Sequence, residues 1–156
     1  SDVCSSDLGR LPGIDGNAKM SKSLGNGIYI SDDADTLVKK VKAMYTDPRH
    51  INIADPGHVA GNVVFTYLDI FDPDKQRVQD LKDHYTAGGL GDMKLKKHLI
   101  DVMEAEMGSI RARREVFAKD IPAVLSMLAE GSERANAVAE KTMKDVRHAM
   151  GVDYFN

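Results

Sequence analysis

The sequence predicts a mainly α-helical protein, and three observations support that prediction. From residue 31 onward, apolar residues recur at intervals of three and four, which is the period of a helix that buries one face. Residues that start or stop helices, such as the Asp-Pro pairs at 47–48 and 72–73, divide this region into segments of helical length. After Ile30, no stretch alternates apolar and polar residues in the way that a convincing strand would.

The first predicted helix begins near Ser31, whose hydroxyl can serve as the N-cap. Its first turn carries aspartates and its later turns carry lysines, so the side-chain charges complement the helix dipole at both ends. We expect residues 47–48, Asp-Pro, to end this helix, because the residue before a proline is pushed out of helical geometry. The apolar stripe of the helix contains Leu37, Val38, Val41 and Met44.

Two shorter helices are predicted next. After a polar loop at residues 49–61, apolar residues between Val63 and Phe71 define one helix. Asp72 and Pro73 then restart the chain as a cap followed by proline at the first helical position. Glycines at residues 88–91 end that helix, and a helix-ending turn is a better interpretation of them than a phosphate-binding loop because no strand precedes them.

A long helix and a closing helix complete the prediction. Asp92 is expected to cap a helix that extends to about Ala118, and Pro122 should break or kink it. Residues 131–132, Gly-Ser, predict a further interruption, after which an amphipathic helix ends at Gly151.

The bulk composition is that of an ordinary globular protein. The chain has 156 residues, of which 42% are hydrophobic and 29% are charged, so one sizeable core can form. It contains no apolar run of spanning length and no basic-then-apolar leader, and we therefore expect a cytoplasmic protein without a membrane partner. Its one cysteine, Cys4, cannot form an internal disulfide. Because the net charge is −3, any contact with RNA must come from a local basic face.

The first part of the chain differs from the rest. Residues 1–8 are small and polar without any period, and we interpret them as a foreign or disordered leader. Residues 9–27 are rich in glycine, serine and lysine and show no hydrophobic period, which predicts a long loop. A loop of that length in a compact protein is usually functional or mobile.

Within this loop, residues 19–23 read KMSKS and suggest a phosphate clamp. Lys19 and Lys22 can place two ammonium groups around one polyphosphate, while the small residues between them let backbone N–H groups approach the same oxygens. Cations that engage as negative charge develops on a departing pyrophosphate lower the barrier instead of only tightening substrate binding. Two lysines in a polar loop can also be simply solvated, so the spacing alone leaves both interpretations open.

The complete KMSKS string resembles the second signature of the class I aminoacyl-tRNA synthetases, which are ligases. Its surroundings, residues 11–16 (LPGIDG) before it and 44–48 (MYTDP) after it, resemble the tryptophanyl-tRNA synthetase family in particular. The resemblance continues through residues 63–67 and 85–92 and covers the chain from about Gly9 to the C-terminus.

This resemblance implies a fold and a domain arrangement. Residues 9–30 would be the C-terminal edge of a class I nucleotide-binding, Rossmann-like domain that carries the loop. Residues 31–156 would be an all-α helical domain that binds the tRNA anticodon. The implied activity is the ATP-dependent activation of tryptophan and its transfer to tRNA(Trp), so the implied partners are tryptophan, ATP and this tRNA. A homodimer is expected for the full-length enzyme.

The resemblance also implies roles for individual residues. Lys19 and Lys22 would be the catalytic phosphate clamp, Ser21 and Ser23 would supply hydroxyl and backbone donors to ATP, and Met20 would anchor the loop. By its position in the loop, Leu11 would contact the adenine. Mg²⁺ is implied together with ATP, and its usual ligands are the phosphates. The five histidines have no ligand spacing, so no protein-held metal site is predicted.

The chain departs from the family pattern in one respect. The first class I signature, which resembles HIGH, is missing, and residues 58–61 (HVAG) do not replace it. We therefore expect that this chain alone does not activate tryptophan. Two alternatives stay open, namely another class I synthetase and a non-catalytic helical module that binds tRNA.

Basic residues on the long and closing helices are candidates for tRNA contacts as a group, although each is interleaved with acidic residues that favour a solvated face. None is assigned to the anticodon individually. The group contains Lys94, Lys96, Lys97, Arg111, Arg113, Arg114, Lys119, Arg134, Lys141, Lys144 and Arg147.

Overall fold

The computed structural model describes residues 11–16 and 19–154, and the predicted leader at residues 1–8 lies outside this part of the chain. The predicted mainly helical fold is confirmed. Over the described residues, extended pairing is limited to an isolated antiparallel bridge between Pro12 and Lys19. None of the described helices combines the length and the apolar character needed to cross a membrane. The helices are α1 (Ala34–Lys42), α2 (Val63–Phe71), α3 (Lys75–Ala87), α4 (Asp92–Ala118) and α5 (Ile121–Met150).

Helix α1 starts later than predicted, because Asp33 and not Ser31 is its N-cap. The carboxylate of Asp33 accepts a hydrogen bond from the Thr36 backbone N–H at 2.7 Å. Hydrogen bonding to Thr36, to its side chain first and to its backbone second, holds the pKa of Asp33 below its ordinary value. Residues before it form a turn, in which the Asp32 carboxylate accepts from the backbone N–H of Tyr29 at 2.8 Å and from Lys40 Nζ at 2.6 Å. The helix therefore cannot begin at Ser31.

Helix α1 also ends earlier than the Asp-Pro pair at residues 47–48. Its last residue is Lys42, and Ala43 is the C-cap. Beyond it, the backbone N–H of Tyr45 donates to the carbonyl oxygen of Ile14 at 2.8 Å. Because this amide bonds to the early loop, it is not available for another helical turn.

The start of α3 differs from the prediction by two residues. Asp74, not Asp72, is the N-cap of α3, and it accepts from the Arg77 backbone N–H at 3.0 Å. The buried Asp72 carboxylate accepts from the Asp74 backbone N–H at 2.9 Å and from His98 Nε2 at 2.7 Å. Burial raises the pKa of Asp72, but these two hydrogen bonds outweigh it, and the pKa lies below its usual value. Asp72 therefore ties this junction to α4.

The core lies among α1, α2, α3 and the first half of α4. Tyr85 is fully buried, contacts the ring of Phe65 edge-on at 5.2 Å, and donates from its hydroxyl to Asp92 at 2.8 Å. The predicted stripe of α1 is confirmed for Leu37, Val41 and Met44, which are buried, whereas Val38 is half-buried. The other buried apolar residues are Val63, Val64, Phe65, Tyr67, Leu68, Val78, Tyr85, Leu90, Leu95, Leu99, Met103 and Met107.

The chain divides into two compact units between Arg111 and Ala112. The boundary predicted after residue 30, between the nucleotide-binding domain and the helical domain, is a different division of the chain and stays a prediction.

In the second unit, α5 follows a break at residues 119–120 and has Pro122 in its first turn, so the predicted break of the long helix near Pro122 is confirmed. Asp120 caps α5 by accepting from the Ala123 backbone N–H at 3.0 Å, and Gly151 ends it in left-handed geometry with φ 67°. The predicted interruption at residues 131–132 is wrong, since α5 continues through them. One glycine in a helix costs only about 1 kcal/mol, and good helix formers flank it here.

Candidate functional site

The KMSKS segment is joined to residues 11–16 by backbone hydrogen bonds. Met20 donates its backbone N–H to the carbonyl oxygen of Leu11 at 3.3 Å, beside the bridge between Pro12 and Lys19. The chain then turns, and the backbone N–H of Gly25 donates to the carbonyl oxygen of Lys22 at 3.2 Å. The segment therefore has a defined backbone course at both of its lysines.

Asn26 holds this turn from the inside. The residue is only 4% exposed, and its Oδ1 accepts a hydrogen bond from the Ser21 backbone N–H at 2.8 Å. Its Nδ2 lies 3.2 Å from each carboxylate oxygen of Asp15 and 3.4 Å from the carbonyl oxygen of Lys19. The carbonyl oxygen of Asn26 accepts from the Ile14 backbone N–H at 2.9 Å. We name these contacts of Asn26 the Asn26 clasp.

The two predicted clamp lysines lie on the outside of the turn. Lys19 and Lys22 are both exposed. Across residues 11–16 and 19–154, no carboxylate comes within ion-pair distance of either ammonium group. Within this part of the chain, no salt bridge has to break before either cation can meet an anionic ligand.

The serines of the segment lie next to each other. The hydroxyl oxygens of Ser21 and Ser23 are 2.9 Å apart and share a hydrogen bond, in which either can be the donor. Ser23 is exposed and Ser21 is half-buried. Because a hydroxyl both donates and accepts, this pair keeps a donor available to an oxygen-rich ligand.

Met20 and Leu11 face the opposite way from the lysines and pack against the hydrophobic core. The Met20 side chain lies so close to Gly27 that a Cβ on Gly27 would fall 2.8 Å from Met20 Cγ. Both residues line an apolar cavity of about 320 Å³, together with Tyr67, Phe71, Met103 and their neighbours. This packing gives Met20 the contacts that an anchoring role requires, while the contact of Leu11 with adenine stays a prediction.

Two tyrosines connect the loop to the helical core. The buried Tyr67 of α2 donates its hydroxyl to the carbonyl oxygen of Pro12 at 2.8 Å, and burial raises the pKa of Tyr67 to about 12. Tyr45 donates its backbone N–H to Ile14, as described above, and its ring packs against Gly16, where φ is 73°. A side chain at Gly16 would meet this ring, so glycine suits the position sterically as well as conformationally.

The structure separates the basic candidates on α4 and α5 into two groups. Lys96 is buried and donates from Nζ to the carbonyl oxygen of Lys42 at 2.8 Å, and burial lowers its pKa. Arg111 is half-buried and forms an ion pair with Glu104. These two residues have structural partners and are poor candidates for RNA. The other basic candidates are exposed, namely Lys94, Lys97, Arg113, Arg114, Lys119, Arg134, Lys141, Lys144 and Arg147.

Sequence reasoning missed the role of Asn26. The residue stands between Gly25 and Gly27, which is a common setting for a turn, but nothing in that local pattern names Ser21, Asp15 and the Lys19 carbonyl as its partners. The one signal was its position three residues after the end of the KMSKS string.

Comparison with known proteins places this loop in a family context. Residues 8–108 match the family model described as tRNA synthetases class I (W and Y). A tryptophan–tRNA ligase from Streptococcus pyogenes is 59% identical over 149 residues, which cover 94% of this chain and 44% of that relative. A tryptophan–tRNA ligase from Clostridium longisporum is 56% identical over a region that covers 96% of this chain and 44% of that relative. The chain thus spans less than half the length of these curated relatives.

Solved structures show the same similarity. The tryptophanyl-tRNA synthetase from Campylobacter jejuni, solved in complex with ADP and tryptophane, aligns with a TM-score of 0.76 at 25% identity and covers 94% of this chain and 44% of that one. A tyrosyl-tRNA synthetase from Archaeoglobus fulgidus aligns with a TM-score of 0.51 at 20% identity over 66% of this chain and 35% of its own, which is a likeness of fold alone.

Proposed function

This chain belongs to the class I tRNA synthetases of the tryptophan and tyrosine group, and on that premise we propose that it supplies the ATP-handling loop and the tRNA-facing helices of a tryptophan–tRNA ligase. The observation that carries the proposal is the pair of exposed lysines, free of carboxylate partners within the described chain, in a loop of defined backbone course. The high identity to tryptophan–tRNA ligases supports tryptophan over tyrosine as the amino acid.

In the proposed reaction, the carboxylate of tryptophan attacks the α-phosphate of ATP and pyrophosphate leaves. The tryptophanyl group then passes from the adenylate to the tRNA. Lys19 and Lys22 contribute to the first step by placing positive charge where negative charge develops on the departing pyrophosphate. Ser21 and Ser23 supply hydroxyl and backbone donors to the same oxygens, and their proximity to each other and to both lysines supports this role.

The apolar side of the segment has a separate role in this proposal. Met20 keeps the segment seated on the core, and Leu11 contacts the adenine ring. Within the described residues, no three histidine, cysteine or acidic side chains converge to hold a metal ion. We infer that Mg²⁺ arrives bound to the phosphates of ATP, which are its usual ligands.

The remaining proposals concern partners and location. We propose that exposed basic residues of α4 and α5 contact tRNA(Trp), because they are not engaged in the helical core as Lys96 is. A homodimeric enzyme in the cytoplasm is the arrangement that we expect for the full-length protein.

The test of the proposed function is ATP–pyrophosphate exchange that depends on tryptophan. Residues 9–156 would replace the corresponding part of the Streptococcus pyogenes relative, whose own upstream part supplies the rest of the enzyme. In this chimera, Lys19→Ala and Lys22→Ala should each lower kcat on the order of a hundredfold. The matched control is Lys39→Ala, which removes an exposed lysine from α1 and should leave exchange unchanged.

Two outcomes would contradict the proposal. Full exchange activity after both loop lysines are replaced by alanine would remove the catalytic assignment and favour a tRNA-binding module without a catalytic role. Transfer of the amino acid by the same chimera to tRNA(Tyr) in preference to tRNA(Trp) would favour the tyrosine branch of the family for the helices of this chain. We also expect the 156-residue chain by itself to show no tryptophan-dependent exchange.

A further inference from the structure

We propose that Asn26 is a positioning residue that fixes the backbone between Lys19 and Lys22, so that both ammonium groups can reach one polyphosphate. This inference rests on the proposed function, because it assigns Asn26 a role in the same loop. Asn26 itself lies inside the turn and is almost fully buried, and its side-chain amide bonds to groups of the protein. Its effect on the reaction would therefore pass through the lysines.

The geometry of the clasp supports this role because it holds the segment on both sides of Met20. On one side, Nδ2 of Asn26 lies 3.4 Å from the carbonyl oxygen of Lys19, and on the other side Oδ1 accepts from the Ser21 backbone N–H at 2.8 Å. The Asp15 carboxylate completes the clasp by accepting from Nδ2 at 3.2 Å. The peptide units that join Lys19 to Ser21 are thus held by one side chain.

The space around Asn26 is also filled. A Cβ placed on Gly13 would clash with the Asn26 amide, so the residue fits only because Gly13 has no side chain. The carbonyl oxygen of Asn26 accepts from the backbone N–H of Ile14, which joins the main chain of Asn26 to residues 11–16. Asn26 is therefore fixed by both its main chain and its side chain.

Such fixation matters for the lysines because their side chains are long and exposed. Each must give up conformational freedom to meet a phosphate oxygen, and a mobile backbone would add to that entropic cost. Groups held in place before the reaction stabilise developing charge better than groups that must be gathered during it. Loss of the clasp should therefore affect the transition state more than the binding of tryptophan.

Two substitutions separate the parts of the clasp. Asn26→Ala removes every side-chain hydrogen bond. Asn26→Asp has nearly the same shape and keeps an acceptor for the Ser21 backbone N–H, but it places a second carboxyl group against Asp15 and cannot donate when ionised. Because a carboxyl beside another carboxylate binds a proton more readily, this variant should recover its donor at lower pH.

The kinetic test uses the chimera described above. Asn26→Ala and Asn26→Asp should lower kcat for tryptophan-dependent exchange on the order of tenfold to a hundredfold. The KM for tryptophan should change by less than about twofold, since the proposed role of this loop is toward the phosphates of ATP and not toward the amino acid. For Asn26→Asp, the ratio of its kcat to that of the parent should rise as the pH falls. The control is Asn52→Ala, because Asn52 also bonds an aspartate, Asp55, in another loop.

A second measurement reports the order of the loop without catalysis. Trypsin cleaves after lysine, so the rates of cleavage after Lys19 and Lys22 in the full 156-residue chain measure how often the segment leaves its fixed course. Asn26→Ala should raise both rates severalfold, whereas Asn52→Ala should leave them unchanged.

The outcomes distinguish this inference from the function on which it rests. If Lys19→Ala and Lys22→Ala abolish exchange while both Asn26 variants keep the parental kcat, the positioning role is wrong and the proposed function stands. If the double lysine variant keeps full exchange, the proposed function fails regardless of Asn26. Equal losses at every pH, accompanied by a raised KM for tryptophan, would show that Asn26 is merely structural and would overturn the inference.

Discussion

The hydroxyl of Tyr67 donates a hydrogen bond to the carbonyl oxygen of Pro12 at 2.8 Å, across 55 residues of chain. This bond joins the most buried part of α2 to the segment that pairs with the KMSKS turn. The position of the candidate site thus depends on a side chain whose ring belongs to the core.

Replacing Tyr67 by phenylalanine should therefore lower stability with little change in packing. The ring remains, but the Pro12 carbonyl loses its partner in a half-buried place, which typically costs about 1–2 kcal/mol. Urea unfolding of the full chain, followed by near-UV circular dichroism, measures the loss. Tyr154→Phe is the control, because Tyr154 is largely exposed, and an equal effect of both substitutions would contradict this account.

Stability should fall in acid partly because of Asp47. Its buried carboxylate accepts a hydrogen bond from the Arg49 backbone N–H at 3.0 Å. It also accepts two hydrogen bonds from His58, one from the ring Nδ1 at 2.6 Å and one from the backbone N–H at 2.9 Å. These hydrogen bonds hold the pKa of Asp47 well below its ordinary value of 3.8, and the bond from the Arg49 backbone has the largest effect. Burial acts in the opposite direction but is outweighed. As the pH falls below 3.8, the unfolded chain takes up the proton first, which favours unfolding.

Asp47→Asn should consequently lower the urea midpoint at neutral pH, and its difference from the parent should shrink as the pH falls below 3.8. A series of unfolding curves between neutral and acid pH measures this convergence. The exposed Asp80 on α3 offers the control Asp80→Asn. A difference that stays constant with pH would show that the ionised form of Asp47 is not the stabilising one.

Lys96 should behave as a core residue and not as a surface cation. Lys96→Ala removes a buried stem and the hydrogen bond to the Lys42 carbonyl, and we expect it to lower the free energy of unfolding by about 1–3 kcal/mol. Lys97→Ala, at the exposed neighbouring position, should stay within about 0.5 kcal/mol of the parent. Chemical unfolding measures the stability of both variants. If Lys96→Ala were as stable as Lys97→Ala, the prediction that Lys96 behaves as a core residue would be wrong.

Gly131 should be replaceable by alanine with a gain in helix stability. The position lies inside α5, and the nearest atom to an added Cβ is Arg134 Nη2 at 4.0 Å. Gly131→Ala should stabilise α5 by about 0.5–1 kcal/mol, because glycine in a helix loses more backbone freedom on folding. Gly151→Ala, at φ 67° beyond the helix end, should cost about 1 kcal/mol or more. Thermal melts followed by far-UV circular dichroism measure both, and a loss of helicity in Gly131→Ala would indicate a break there.

The helices could be predicted from sequence because the spacing of apolar residues records which face is buried. The ends of the helices could not be predicted, because more than one nearby residue could serve as a cap. Contacts with residues far away in the sequence decided which of them did. Asp72 was a sound cap by sequence, but its carboxylate bonds His98 on another helix. The end of α1 was decided by the bond between Tyr45 and Ile14, which no local pattern records.

The candidate site also has one part that could be predicted from the sequence and one part that could not. The KMSKS string identified the exposed lysines because such a string is itself the signal, whereas the clasp that holds it is a set of contacts made through folding. Lys96 is a basic residue whose burial could not be predicted, because its sequence context resembles that of Lys97. What distinguishes the two lysines is the bond from Lys96 to the Lys42 carbonyl, 54 residues earlier in the chain.

The Asn26 clasp also bears on how long the protein survives chemically. Asn26 is followed by Gly27, and an asparagine before glycine is prone to deamidation. In this reaction the following backbone nitrogen attacks the side-chain amide carbon and ammonia leaves, and water then opens the resulting succinimide to give a carboxyl group. While Ser21 and Asp15 hold that amide, it cannot rotate towards the nitrogen of Gly27. Ageing of the loop should therefore proceed through its unfolded state, and one product would carry the same carboxyl group as Asn26→Asp.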